Sequence, residues 1–386
     1  MEILDCRKRI VAFTIAILGS VTGLSAQPNL SFRIGGSAVA VDQRGEGNKI
    51  FEVAVPAVPT LGVKLGFEKF PRFGVGSSVE LLNLCRYTDA GHLSNIYSVY
   101  GFYDRPLVKT DLLTFQYTLE LGTGFSRGVW DPVSNPGNQI VGSMITARVG
   151  LGLELLFDMP GSDELGFGLY YNHNSNGSTR LPNRGYNGIE LAANYKFSCG
   201  SKGSPSQVEF RNPNGTEVAT GSLNVDVYAS GSASALWNEH LVENCKNCPV
   251  YPRFAFGADV IYRYSARSGA GAGVDLFYTP QRVSDRLEEL NAIVYPSEDG
   301  NDDEYQPLSF GFCAIHESWY RNLSLRIGVG LYAYNHDGFS IYRRSYQSLA
   351  LRYHMPAVGN TFVGIGLKVH RFTMADCIQF MVGKRF

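Results

Sequence analysis

Between residues 113 and 125, apolar and polar positions alternate with a period of two. The odd positions are Leu113, Phe115, Tyr117, Leu119, Leu121, Thr123 and Phe125; the even ones are Thr114, Gln116, Thr118, Glu120, Gly122 and Gly124. Residues 145–155 repeat the pattern, with Ile145, Ala147, Val149, Leu151, Leu153 and Leu155 against Thr146, Arg148, Gly150, Gly152 and Glu154. Residues 323–331 set Leu, Leu, Ile, Val and Leu against Ser324, Arg326, Gly328 and Gly330, and residues 361–369 do the same against Phe362, Gly364, Gly366 and Lys368. Side chains at i and i+2 share one face of a strand, so each run predicts a β-strand with one apolar face and one face of small or polar groups.

These runs reach the roughly 9–11 residues that a tilted strand needs to cross a bilayer. In a soluble sandwich the face opposite the core is normally richer in charge than these Gly/Ser/Thr rows. In a membrane barrel the apolar face meets lipid and the small polar face lines the interior, which fits the pattern directly. The chain also closes on an alternating strand, Ile378, Phe380, Val382, Lys384 and Phe386, whose aromatic end resembles that of bacterial outer-membrane barrels. The fold predicted is all-β: a transmembrane antiparallel β-barrel of the bacterial outer membrane. It has about 14 strands, in a range of about 12–16, and a single barrel is preferred. Candidate strands run from residue 60 to the end; bacterial barrels usually hold an even number, so one of these, or a further segment near 30–56, is miscounted. Long loops are expected at Trp237–Tyr251 and Arg282–Gln306.

The start of the chain changes the picture of where it goes. Arg7, Lys8 and Arg9 precede an apolar run, Ile10 to Leu24, and the small-residue exit Ser25-Ala26. That order is a secretory signal peptide over residues 1–26, which leaves residues 27–386 as the barrel. Thereafter no window approaches eighteen unbroken apolar residues, which excludes helical spans. The 43 glycines, 22 tyrosines and 23 phenylalanines suit a sheet, and only 18% of residues are charged. A net charge of −1 gives no electrostatic reason to expect nucleic acid. Six cysteines follow the signal in what would be an oxidising compartment; the close pair Cys245 and Cys248 is read as a disulfide bracing an outer loop. The acidic run Ser297–Glu304 lacks the ordered spacing of a calcium loop and is read as a solvated face. No metal or cofactor is expected.

The candidate chemistry lies between residues 164 and 197. Leu165, Phe167, Leu169 and Tyr171 form the lipid-facing row of one strand, and the same parity continues to His173 and Ser175. Imidazole and hydroxyl therefore sit side by side at the strand end. The return strand carries Asn187, Ile189, Leu191, Ala193, Tyr195 and Phe197 on its apolar face. Antiparallel pairing sets Asn187 close to His173. Glu190, the less favoured acid, falls on the interior face. A nucleophile (Ser175), a base (His173) and an orienting amide (Asn187) make the set that acyl transfer requires, much as Asn serves in Cys-His-Asn proteases. N–H groups at Asn176 and Gly177 are positioned to hold an oxyanion. The turn at 158–163 is short and the loop at 176–185 is long, which sets the site at the outer rim, on the lipid-facing wall. His316-Glu317-Ser318 is a second His-x-Ser, read beside Trp319 as a membrane-interface group.

The segments His173-Asn174-Ser175-Asn176-Gly177 and Leu181-Pro182-Asn183-Arg184-Gly185 resemble the signature of the lipid A 3-O-deacylases, outer-membrane barrels also known as acyloxyacyl hydrolases. Asn135-Pro136-Gly137-Asn138 and Gly142-Ser143 are similar to another stretch of that family, and the likeness covers about residues 95–198. The ending Leu367-Lys368-Val369-His370 with Ala375-Asp376 is similar to longer members found in Bacteroidetes-type bacteria. The resemblance implies His173 as base, Ser175 as nucleophile, Asn176 as oxyanion contributor and Asn183 as loop support. It also implies lipid A or lipopolysaccharide as substrate. The family's best-known members carry Glu where this chain has Asn187, and its small members are eight-stranded barrels of about half this length. Residues 207–386 are accordingly further strands of the same barrel or a second β unit. The alternatives are a porin or transport barrel without catalysis, or an adhesin defined by its outer loops. Outer-membrane lipid is the surrounding partner, and a homodimer is left open.

Overall fold

Side chains that alternate between hydrocarbon and small polar groups leave a strand two usable faces, and a sheet of such strands satisfies its edges by closing. The computed structural model describes residues 28–41, 52–67, 70–85, 92–159, 163–198, 220–235, 247–279, 307–335, 344–370 and 374–386. The expected signal peptide and the acidic run lie outside these residues.

The first eight strands are β1 (Pro28–Val41), β2 (Glu52–Phe67), β3 (Phe70–Glu80), β4 (Ile96–Lys109), β5 (Leu113–Phe125), β6 (Ile145–Asp158), β7 (Glu164–Ser175) and β8 (Tyr186–Ser198). They form a closed antiparallel barrel. The next eight are β9 (Ser222–Ala235), β10 (Val250–Ser265), β11 (Ser268–Tyr278), β12 (Leu308–Tyr320), β13 (Leu323–Asn335), β14 (Ser345–Met355), β15 (Thr361–His370) and β16 (Met374–Arg385), and they form a second closed barrel.

The preference for one barrel of about fourteen strands is therefore corrected: the described residues make two barrels of eight. The reason is edge pairing. The free edge of β8 returns to β1, in register from Asn29 opposite Ser198 to Ala40 opposite Asn187, and is not left for β9. In the same way β16 closes on β9, with Phe380 opposite Gly231. The 30–56 segment supplies β1 and the start of β2, both needed to complete the first ring.

Outward residues are apolar and open: Phe167 is 53% exposed and Leu191 69%. Inward residues are charged yet buried. Arg148, 1% exposed, lies 2.8 Å from Glu80 and 3.0 Å from Glu120, and Lys64 lies 3.4 Å from Glu120 and 3.5 Å from Glu154. In the second barrel Arg352 lies between Asp226, at 3.0 Å, and Asp259, at 3.1 Å; Arg326 pairs with Asp259 and Arg385 with Asp226. Buried charges persist only when paired, and these networks pair the charges that point into both interiors. The inward glycines make room for bulk: a Cβ on Gly152 would lie 2.3 Å from the ring of Tyr170, whose cross-strand neighbour it is.

The barrels touch at both ends of their strands. At the end with short turns, the rings of Phe73 and Tyr320 lie 4.2 Å apart, and Arg105 Nη1 donates to Ser268 Oγ at 3.3 Å. At the other end, Ser178 meets Ala235 and Ala375. The two barrels thus stand side by side with their strand ends in the same sense.

Candidate active site

The site is built on the β7–β8 hairpin. Residue pairing sets His173 directly opposite Asn187, and His173 Nδ1 and Asn187 Oδ1 are hydrogen-bonded at 2.7 Å. Asn187 is not free to flip. Its Nδ2 donates to the carbonyls of Ala40 (3.3 Å), Arg184 (3.3 Å) and Gly185 (3.4 Å), which leaves Oδ1 as the atom facing the imidazole. An accepting Oδ1 requires the proton on Nδ1, so Nε2 carries the lone pair. Nε2 is buried and has no hydrogen-bond partner. Tyr171, one step earlier on the same face, donates its hydroxyl to Asn187 Oδ1 at 3.0 Å.

Ser175 is 1% exposed and follows His173 on the same face. Its Oγ accepts from the Gly177 N–H at 3.4 Å. A Cβ built on Gly185 would lie 3.2 Å from His173 Cε1 and 3.5 Å from Ser175 Cβ, so the end of the loop packs over both. The face is the outward one expected from parity, and with the end of loop 176–185 packed beside it His173 is 5% exposed.

Loop 176–185 holds itself and is held from beside. The Asn176 N–H donates to Asn183 Oδ1 at 3.4 Å, Asn176 Nδ2 to the Arg180 carbonyl at 2.9 Å, and Thr179 Oγ1 to the Asn176 carbonyl at 2.9 Å. The backbone N–H of Asn176 and one proton of its Nδ2 are thus engaged within the loop, and the N–H that reaches the Ser175 hydroxyl is that of Gly177. Asn183 Nδ2 is buried without a partner. From the β5–β6 connection, the Gln139 and Ile140 carbonyls accept from the Arg184 and Gly185 N–H groups at 3.0 and 3.2 Å. That connection is shaped by Asn138, whose Oδ1 accepts from the N–H groups of Ile140 and Val141, both at 3.2 Å.

Structure and parity agree that Glu190 points inward. It lies 2% exposed, accepts from Asn172 Nδ2 at 2.7 Å and takes a hydrogen bond from Thr60, far from the imidazole's face. Tyr171 and the Ala40 carbonyl were not singled out from sequence. Tyr171 shares the His173 parity and was legible in principle; Ala40 depends on β1 closing against β8 and left no local signal.

The second His-x-Ser forms a hydrogen bond of its own, His316 Nε2 to Ser318 Oγ at 3.1 Å, at the short-turn end of β12. Trp319, read from sequence as part of a membrane-interface group, is buried instead, with the Arg263 guanidinium 4.5 Å from its ring. Cys248 is disulfide-bonded, whereas Cys85, Cys313 and Cys377 are free thiols. Among the described residues no three or more His, Cys, Asp or Glu side chains gather as a metal site.

Residues 223–386 match the family described as "Acyloxyacyl hydrolase, C-terminal domain". The match covers the second barrel; the His173 hairpin lies in the first. No curated protein matches the chain. Among solved structures, an outer-membrane channel from Pseudomonas putida F1 is similar at 11% identity, over 94% of this chain and 95% of that one, with a TM-score of 0.20. The NanC porin is 10% identical over 92% and 97% of the two chains, TM-score 0.16, and the P. putida toluene transporter TodX 8% over 93% and 87%, TM-score 0.17. At these scores the superpositions carry no argument about this chain.

Proposed function

We propose that the chain is an outer-membrane esterase that removes an acyl chain from lipid A, a reading supported by the match of residues 223–386 to the acyloxyacyl hydrolase C-terminal domain family. The observation that carries this reading is the oriented imidazole. Asn187, tied to three carbonyls, holds His173 with an unpartnered Nε2 on the strand face it shares with Ser175.

The scheme requires Ser175 Oγ to come within hydrogen-bond reach of Nε2; such contacts are commonly loose before substrate binds. His173 then takes the hydroxyl proton as Oγ attacks the ester carbonyl. The Gly177 N–H receives the oxyanion, and the unpartnered Asn183 Nδ2 is a second donor within the same loop. Collapse breaks the ester C–O bond, and His173 returns the proton to the departing sugar oxygen. Water releases the fatty acid from Ser175 by the same route in reverse. No metal or cofactor enters this scheme.

The apolar outer walls support membrane residence, and the position of the site at the long-loop end supports the outer leaflet, where lipid A resides. The filled interiors argue against a porin, because Arg148 and Arg352 with their carboxylate partners occupy the space that a water column needs. Purified, detergent-folded protein should remove one acyl mass from lipid A by mass spectrometry, and the Ser175→Ala and His173→Ala variants should not. Equal product from wild type and both variants would sink the reading.

A further inference from the structure

Gly177 and Ser178 both adopt left-handed backbone, with φ of 62° and 61°. Glycine occupies that region freely, whereas a serine there persists only if its surroundings hold it. The holding groups come from the other barrel. Ser178 Oγ donates to the Ala375 carbonyl at 2.6 Å, and the Ala235 N–H donates to the Ser178 carbonyl at 2.7 Å. Ala235 ends β9 and Ala375 is the second residue of β16, so one end of the second barrel's closing pair grips one residue. Next to it, a Cβ on Gly177 would lie 2.6 Å from Ile378 Cγ1 and 3.0 Å from the Ile378 nitrogen, an approach that glycine alone permits. All three contacts fall on Gly177 and Ser178, the first of which supplies the N–H that reaches Ser175 Oγ.

We propose that the second barrel is a positioning clamp for the active site: through Ala235, Ala375 and Ile378 it fixes Ser178, and thereby keeps the Gly177 N–H directed at the oxyanion position. Ser178 is a positioning residue, and the second barrel contributes to the reaction without supplying a reacting group. The contacts of Phe73 with Tyr320 and Arg105 with Ser268 hold the opposite end of the seam, which sets the spacing the clamp requires. This inference rests on the reading of Ser175 as the nucleophile.

Two measurements on the full-length folded protein test it. In the first, Ser178→Cys with Ala235→Cys is isolated under non-reducing conditions and mapped by peptide mass. A 178–235 disulfide is the expected result, and its absence from folded protein overturns the clamp whatever the protein's activity. In the second, kcat and KM for lipid A deacylation are compared in Ser178→Ala and Ser178→Thr. Removing an oxyanion donor outright typically costs about 100- to 1,000-fold, so loosening one should lower kcat about tenfold with KM unchanged. Threonine keeps the hydroxyl and should restore most of the rate. An unchanged kcat in Ser178→Ala, beside an active wild type, overturns the proposal. A wild type inert on lipid A in which the disulfide still forms overturns the functional reading and the clamp's catalytic role with it, and the contact between barrels then stands alone.

Discussion

The two barrels share strand number, closure and an interior filled with arginine–carboxylate networks, yet their last hairpins differ. In the first barrel β7 and β8 are joined by residues 176–185; in the second, β15 and β16 are joined by residues 371–373. The rim with the long connection carries polar atoms left without partners, at His173 Nε2 at the end of β7 and at Asn176 Oδ1 and Asn183 Nδ2 in the connection itself. At the corresponding rim of the second barrel, Lys368 is paired with Asp376 at 3.0 Å and Tyr332 is hydrogen-bonded to His370 at 3.0 Å. A buried polar atom without a partner costs stability, and those at the first barrel's rim lie around the residues to which the proposed chemistry is assigned; Ser234 Oγ at the second barrel's rim is likewise unpartnered. On the function proposed above, one scaffold used twice carries a reactive rim on the first barrel and a supporting one on the second.

The comparison breaks most sharply at Ser175. Ser175→Ala should lower kcat for lipid A deacylation by at least about 1,000-fold, since the nucleophile of a Ser-His mechanism has no substitute. Product mass spectrometry against time checks this. A residual rate near that of wild type would make the first rim no more reactive than the second.

The shared part of the architecture is tested inside the barrels. Arg352→Met removes the guanidinium that Asp226 and Asp259 share. Breaking a buried ion pair typically costs about 3–5 kcal/mol. Arg385 and Arg326 still face the two aspartates, so the loss should fall at or below the low end of that range. Urea unfolding in detergent, followed through the tryptophan signal of Trp319, measures it; an unchanged midpoint would mean that the network is not a structural lock.

A smaller effect is expected at Asn187. Asn187→Ala frees the imidazole to change tautomer and to rotate, and should lower kcat by about 10- to 100-fold with little change in KM. A KM effect with kcat preserved would instead assign Asn187 to substrate binding. The smallest effect belongs to the second barrel's own His-x-Ser. Ser318→Ala should leave deacylation within about twofold of wild type, because Ser318 lies at the opposite strand end. A large loss there, in folded protein, would move the reaction to the other barrel.

How far the residues themselves announced this arrangement differs from level to level. Alternation made the strands legible, and parity alone set His173, Ser175 and Asn187 on one face with Glu190 on the other. Hairpin pairing over a loop of known length made the His173–Asn187 contact legible too. The closure of the sheet was not, because the pairing of β8 with β1 or with β9 depends on which edge reaches it first, and both edges carry the same alternation. The burial of the site was hidden for a related reason: periodicity assigns a face to lipid but says nothing of a loop that packs beside it.

The sequence by itself determined the strand repeat, the membrane-compatible faces and the residue types assembled at the first barrel's rim, because each follows from neighbours within a single hairpin. Only the tertiary structure decided that there are two barrels, that Ala40 of the first strand locks Asn187, and that Ala235 and Ala375 grip Ser178. Those contacts join residues separated by more than fifty positions, and no local pattern specifies which distant edge or loop a strand end will meet.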